Sequence, residues 1–211
     1  MSSPGCELER ALWLEGQLRI VGVDEVGIGA LCGPVVAAAV LLPAFCEPLA
    51  DVRDSKLLTA DRRQRACDQI CRLAVSIGIG AASVTEIEQL NVRRASHLAM
   101  RRALRRLGAY DLALIDGNPI RDPAIGPHRT VVDGDATSFA IACASIVAKV
   151  TRDRLLDRLG RRFPSFGWER NAGYGTPEHL RALDSEGPTP YHRASFRPVR
   201  VAAQREPATS A

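Results

Sequence analysis

Apolar positions along the chain fall into short unbroken runs separated by amphipathic stretches. Residues 19–24 carry Ile20, Val21 and Val23 and end at Asp24, which predicts a first strand. After Pro34, residues 35–42 are apolar without a break, the pattern of a strand covered on both faces. Small and β-branched residues predict a third strand over 74–83. A fourth over 112–115 runs into Asp116, and a fifth covers 129–132. Helical periodicity marks 6–16, stopped by Gly16, and 59–73, capped by Thr59. A short helix is expected over 85–89, and a longer one from the Asn91 cap to near Gly108. Residues 138–161 read as a long helix whose first turns carry Ala140, Ala142, Ala144 and Ala148, suited to close packing on a sheet. Thr176 caps a further helix with Pro177 in its first turn, and 119–127 reads as a Pro/Gly-rich loop. Strands first, then alternating helices, predict an α/β fold: a mixed sheet with helices on both faces.

A length of 211 residues with 46% hydrophobic content supports one core, with residues 1–18 as an N-terminal appendage, 19–200 as the main domain and 201–211 as a disordered tail. A formal net charge of +4 permits a polyanionic partner. The six cysteines lack CxxC or zinc spacing, as expected for reduced thiols in the cytoplasm. The short run Ala11-Leu12-Trp13-Leu14 is neither a signal peptide nor a membrane span.

Four acids carry the candidate chemistry. Asp24 and Glu25 end the first strand, Asp116 ends the fourth, and Asp135 follows the fifth. A carboxylate pair at one strand end is ordinarily a solvated turn. Acids in equivalent places on other strands change that reading, because strand C-terminal ends are where open α/β sheets build sites. Converging carboxylates repel unless a cation neutralises them, and all-oxygen ligands select a hard ion such as Mg²⁺ or Mn²⁺. Successive strand residues point to opposite faces, so Asp24 and Glu25 share an ion only if the strand bends or the Glu side chain curls back. Gly27 and Gly29 let a backbone approach a substrate closely.

The string Asp24-Glu25-Val26-Gly27-x-Gly29-x-Leu31-x-Gly33-Pro34 resembles the N-terminal signature of bacterial ribonuclease HII. So do Asp54-Ser55-Lys56, Leu90-Asn91, Ile115-Asp116-Gly117-Asn118, Gly134-Asp135, Ala144-Ser145-Ile146-Val147-Ala148-Lys149, Thr151-Arg152-Asp153, Gly173-Tyr174-Gly175-Thr176 and His192-Arg193-x-Ser195-Phe196. The resemblance covers about residues 19–200. It implies a ribonuclease H-like fold, a mixed five-stranded sheet flanked by helices with a helical C-terminal extension. The implied activity is endonucleolytic hydrolysis of the RNA strand of RNA–DNA hybrids. It includes nicking of duplex DNA 5′ to embedded ribonucleotides, leaving a 3′-hydroxyl and a 5′-phosphate. Asp24, Glu25, Asp116 and Asp135 fall on the family's catalytic carboxylates, which hold two Mn²⁺ or Mg²⁺ ions. Asp24 is expected to bridge them, Glu25 and Asp116 to bind one and Asp135 the other.

The resemblance also assigns substrate contacts. The backbone of Gly27, Ile28 and Gly29 is expected on the ribose 2′-hydroxyl, and Tyr174 on the next deoxyribose. Lys56, Asn91, Lys149, Arg152 and Arg193 lie in matching motifs, with the four cations as phosphate contacts. His192 is expected as a structural hydrogen bonder. Six arginines between Asn91 and Gly108 fit either phosphate contact or a solvated basic face. Three of the family's basic residues are replaced: Gly-Arg-Gly is Gly27-Ile28-Gly29, Ser-Lys-Lys is Ser55-Lys56-Leu57 and Lys-Gly-Asp is Asp133-Gly134-Asp135. These changes motivate an alternative, a hybrid-binding homologue with weakened cleavage. A monomer is expected, and the tail leaves a replication clamp open as a partner.

Overall fold

The computed structural model describes residues 4–53 and 55–204; Asp54 and most of the expected tail lie outside them. Five strands, β1 (Ile20–Val26), β2 (Val35–Leu41), β3 (Ser76–Ala82), β4 (Leu112–Asp116) and β5 (His128–Val131), form one sheet in the order β3-β2-β1-β4-β5. β1, β2 and β3 pair antiparallel, while β4 and β5 join β1 in parallel. The C-terminal ends of β1, β4 and β5 therefore lie side by side at one end of the sheet. Nine helices accompany it among the described residues: α1 (Glu7–Leu14), α2 (Ala60–Leu73), α3 (Val84–Leu90), α4 (Val92–Leu107), α5 (Gly134–Thr137), α6 (Phe139–Arg162), α7 (Trp168–Asn171), α8 (Pro177–Glu186) and α9 (Arg197–Ala203).

Strand alternation divides the core. Ile20, Ala38, Val40 and Leu114 face α6, joined by α1 and α2. Val21, Val23, Ala37, Ala39, Ala113 and Ile115 face α4. α6 crosses β1 so closely that a Cβ on Gly22 would lie 2.0 Å from the Ala140 carbonyl, which is why a glycine interrupts that apolar run. The alanines that open α6 allow the same approach. A third cluster, built on Leu31, Leu156, Phe166, Trp168, Leu183 and Val199, packs the C-terminal helices against the second half of α6 and the loop after β1.

Most expected elements fall within two residues of their observed bounds, and the differences have local causes. β1 runs two residues past Asp24 because its ladder with β2 continues through Glu25–Ala37 and Val26–Val36. The expected disordered tail is corrected at its start: 201–203 close α9, where Ala202 is buried against the third cluster, and 205–211 lie outside the described residues. The N-terminal segment packs on the main core, with Cys6, Leu12 and Trp13 buried in the α6 cluster. α5 and α7, of 4 residues each, were not foreseen; they are too short to show an apolar period.

Candidate active site

The parallel ends of β1 and β4 and the turn after β5 bring Asp24, Glu25, Asp116 and Asp135 to one cleft of about 680 Å³, walled by residues 26–29, Ser55, Lys56, Arg63, Ser145, Lys149 and Tyr174. Alternation along β1 sends the neighbouring acids to opposite faces: Asp24 meets Ser145 of α6, and Glu25 meets Ser96 of α4. β1 stays a regular strand through Val26 and does not bend at Glu25. Asp24 is oriented by accepting the Glu25 N–H at 2.7 Å, and Asp116 by accepting the Gly134 N–H at 2.7 Å. Lys56 lies 3.6 Å from Asp135.

Charge accumulates here at a cost. Burial, then the Glu25 charge, pushes the Asp24 carboxyl well above the usual range. Burial and the Asp116 charge push Glu25 up to about 7, and burial raises Asp116. A cation brought among these groups would remove that cost, and oxygen donors alone suit a hard divalent ion. Among the described residues no group of three or more His, Cys, Asp or Glu side chains is drawn together tightly enough to enclose an ion as it stands. The donor chemistry fits divalent ions, with side-chain adjustment needed to close around them.

Gly27, Ile28 and Gly29, the first residues of the loop that runs from β1 to Pro34, also line the cleft. Gly27 is required twice over: its φ is +94°, and a Cβ there would lie 2.2 Å from Arg152 Nε. Gly29 is under no such restraint, since a Cβ there would meet only Tyr174, at 3.8 Å. Behind the loop, Arg152 donates to the carbonyls of Pro34 (3.0 Å), Ala172 (2.7 Å) and Cys32 (3.0 Å). Arg193 donates to Gly33 O through Nε (3.0 Å) and Nη2 (2.9 Å), and to Ile28 O through Nη1 (2.8 Å). Both arginines are 0% exposed. The expectation that they grip phosphates is therefore corrected: their donors are spent on backbone carbonyls, and they clamp the glycine loop from within. Burial and the neighbouring Arg152 charge lower the Arg193 pKa to about 10.

The other anticipated residues divide. Lys56, Lys149 and Tyr174 line the cleft, with Lys149 also bonded to Asp153 at 2.7 Å. Asn91 caps α4, its side chain accepting the Arg94 N–H at 3.1 Å, and is not among the residues lining the cleft. Of the six arginines, Arg102 and Arg106 turn onto the Ala81 and Ile79 carbonyls of edge strand β3, and Arg101 pairs with Asp122. His192 is buried against His179 and Thr189, as a structural hydrogen bonder would be. Residue-by-residue reading gave no role to Ser55, Ser145, Ser96 or Arg63. Ser55 and Ser145 share a hydrogen bond of 3.1 Å behind Asp24, and Arg63 holds the carbonyls of Ser55 (2.9 Å) and Leu58 (2.7 Å) on either side of Lys56. Their signal was present for the two serines, since both stand inside matched motifs.

A mixed sheet with carboxylates at the ends of its parallel strands defines a ribonuclease H-type nuclease, and solved structures share the fold. One is the ribonuclease HII of Archaeoglobus fulgidus in its complex with PCNA (TM-score 0.72, 23% identity, 89% of this chain and 98% of that one). Another is Bst-RNase HIII in complex with Mn²⁺ (TM-score 0.71, 18% identity, 90% and 71%). The family model for ribonuclease HII matches residues 21–199, and the ribonuclease HII of Thermosynechococcus vestitus is 56% identical over 188 residues, 89% of this chain and 88% of the relative. The chain belongs to the ribonuclease HII family, whose members are hydrolases of the ribonuclease H type. Among the described residues, no helix is long and apolar enough to cross a membrane.

Proposed function

We propose that this chain is an active endoribonuclease that cuts the RNA strand of RNA–DNA hybrids and nicks duplex DNA on the 5′ side of an embedded ribonucleotide. The observation that carries this reading is the meeting of Asp24, Glu25, Asp116 and Asp135 at one cleft that Gly27, Ile28, Gly29 and Tyr174 also line. The four carboxylates would hold two Mn²⁺ or Mg²⁺ ions. The chemistry such ions would supply is activation of an attacking water and stabilisation of the leaving oxygen, which would leave a 3′-hydroxyl and a 5′-phosphate. The protein's own part is orientation. Ser145 and the Glu25 amide aim Asp24, the Gly134 amide aims Asp116, and the arginine clamp holds the loop whose backbone reads the 2′-hydroxyl. Lys56 and Lys149, which line the cleft, would meet the substrate phosphates. We read the active form as a cytoplasmic monomer.

The test is incubation with duplex DNA carrying one ribonucleotide, with Mg²⁺ or Mn²⁺. Nicking 5′ to the ribonucleotide is expected. A second reading, tight binding with weakened cleavage, draws on two exposed apolar residues where the family resemblance implies cations: Ile28, which lines the cleft, is 39% exposed, and Leu57, next to Lys56, is 62% exposed. Stable binding without nicking would favour it.

A further inference from the structure

The N-terminal helix is joined to the site by an unbroken run of hydrogen bonds. Glu9 of α1 is 0% exposed. Its Oε1 accepts the Ser138 hydroxyl at 2.5 Å and the Ala140 N–H at 2.9 Å, and the Gly5 carbonyl accepts the Phe139 N–H at 2.9 Å. These are amides at the start of α6 that the helix itself leaves unpaired, and a carboxylate is favoured at that end of the helix dipole. The run continues inward: the Ser138 N–H donates to Gly134 O at 2.8 Å, and the Gly134 N–H donates to Asp116 Oδ1 at 2.7 Å. Asp135 sits between these two ties. Its turn has little slack, because a Cβ at Gly134 would lie 2.5 Å from Ile141 Cδ1 and 3.1 Å from Asp116 Oδ1.

A buried carboxylate is an expensive way to cap a helix. Ser138 already caps α6 by accepting the Ile141 N–H at 3.2 Å. What Glu9 adds is a fixed position for Ser138 itself, and with it the far end of the turn that carries Asp135. We propose that Glu9 is a positioning residue of the active site, acting through Ser138 to hold Asp135 against Asp116. This rests on the reading of those carboxylates as ligands of divalent ions.

The full-length wild type, E9Q and S138A are titrated with Mn²⁺ by calorimetry, with D135N as reference, and hydrogen exchange over residues 134–138 is followed without metal. E9Q keeps the shape of the side chain and removes its charge. S138A removes the hydroxyl link and leaves Glu9 on the Ala140 amide. Mn²⁺ uptake that D135N abolishes is expected in the wild type. Binding about tenfold weaker or more is expected in both variants, the usual range for loss of a group that orients a ligand. Residues 134–138 should exchange faster while α6 beyond its first turn keeps its protection. Wild-type Mn²⁺ affinity in the folded variants overturns the proposal and leaves the ion reading standing. Wild-type protein without D135N-sensitive uptake overturns the ion reading and the proposal together. If E9Q fails to fold, S138A decides alone.

Discussion

On one wall of the cleft, Asp24, Glu25 and Asp116 gather negative charge that burial makes costly and that the protein meets with serines, backbone amides and Lys56 near Asp135. On the other, Arg152 and Arg193 are buried more completely, yet their guanidiniums are matched by carbonyls at 2.7–3.0 Å. The same problem, charge taken out of water, is answered in two ways. The arginines are satisfied by fixed backbone dipoles, and this makes the glycine loop rigid. The carboxylates are left partly unsatisfied, which makes their wall receptive to cations. A motif match treats all seven charges alike as site residues. Position and partners separate those that line the cleft from those that brace the loop beside it.

The comparison breaks most sharply at Asp24. D24N is expected to lower cleavage of a single-ribonucleotide duplex roughly a thousandfold or more while duplex binding survives. Full activity in D24N with Mg²⁺ would remove the carboxylate wall from the chemistry.

Acid should loosen the arginine wall through its support. Burial, with the nearby His179, lowers His192 to about 4, and His192 bridges to Cys32 inside the clamped loop. Between about pH 6.5 and 4 the unfolded chain binds a proton that the native site refuses, so stability falls as pH falls through that window. The loss approaches about 3 kcal/mol at its lower end. Thermal unfolding of the wild type and H192Q between pH 7 and 4.5 checks this; an equal slope in both would discard it.

The loop glycines should respond unequally. G27A pairs a left-handed backbone with a Cβ 2.2 Å from Arg152, and should lower stability by about 2 kcal/mol. G29A should stay within about 0.5 kcal/mol by urea denaturation. Equal losses would mean that the clamp does not set the loop.

The smallest effect is expected at the rim. I28R, measured in the D24N background, should tighten duplex binding several-fold at low salt and steepen the log–log salt dependence by about 1, as one added phosphate contact does. An unchanged slope would show that this position faces no phosphate.

Much of this molecule was legible in local pattern. The five strands, the Thr59, Asn91 and Thr176 caps and the long α6 follow from runs, caps and periods contained within each segment. The four acids were legible because carboxylates at strand ends contradict the apolar runs they terminate. Arg152 and Arg193 carry no sign of their role, because a guanidinium in a motif looks the same in sequence whether it faces solvent or the backbone carbonyls of a loop. Glu9 carried no signal at all, lying 129 residues from the serine it fixes.

The sequence by itself therefore determined the elements, the family and the identity of the acids, because these depend on short-range periodicity and on residue types that are costly where they stand. Only the tertiary structure decided which charges meet. β1, β4 and β5 must lie side by side before Asp24, Asp116 and Asp135 repel one another, and the loop after β1 must fold back before Arg193 finds the Ile28 carbonyl. Burial and partnership are properties of packing between distant segments, and packing turned equivalent motif residues into a charged cleft on one side and a backbone clamp on the other.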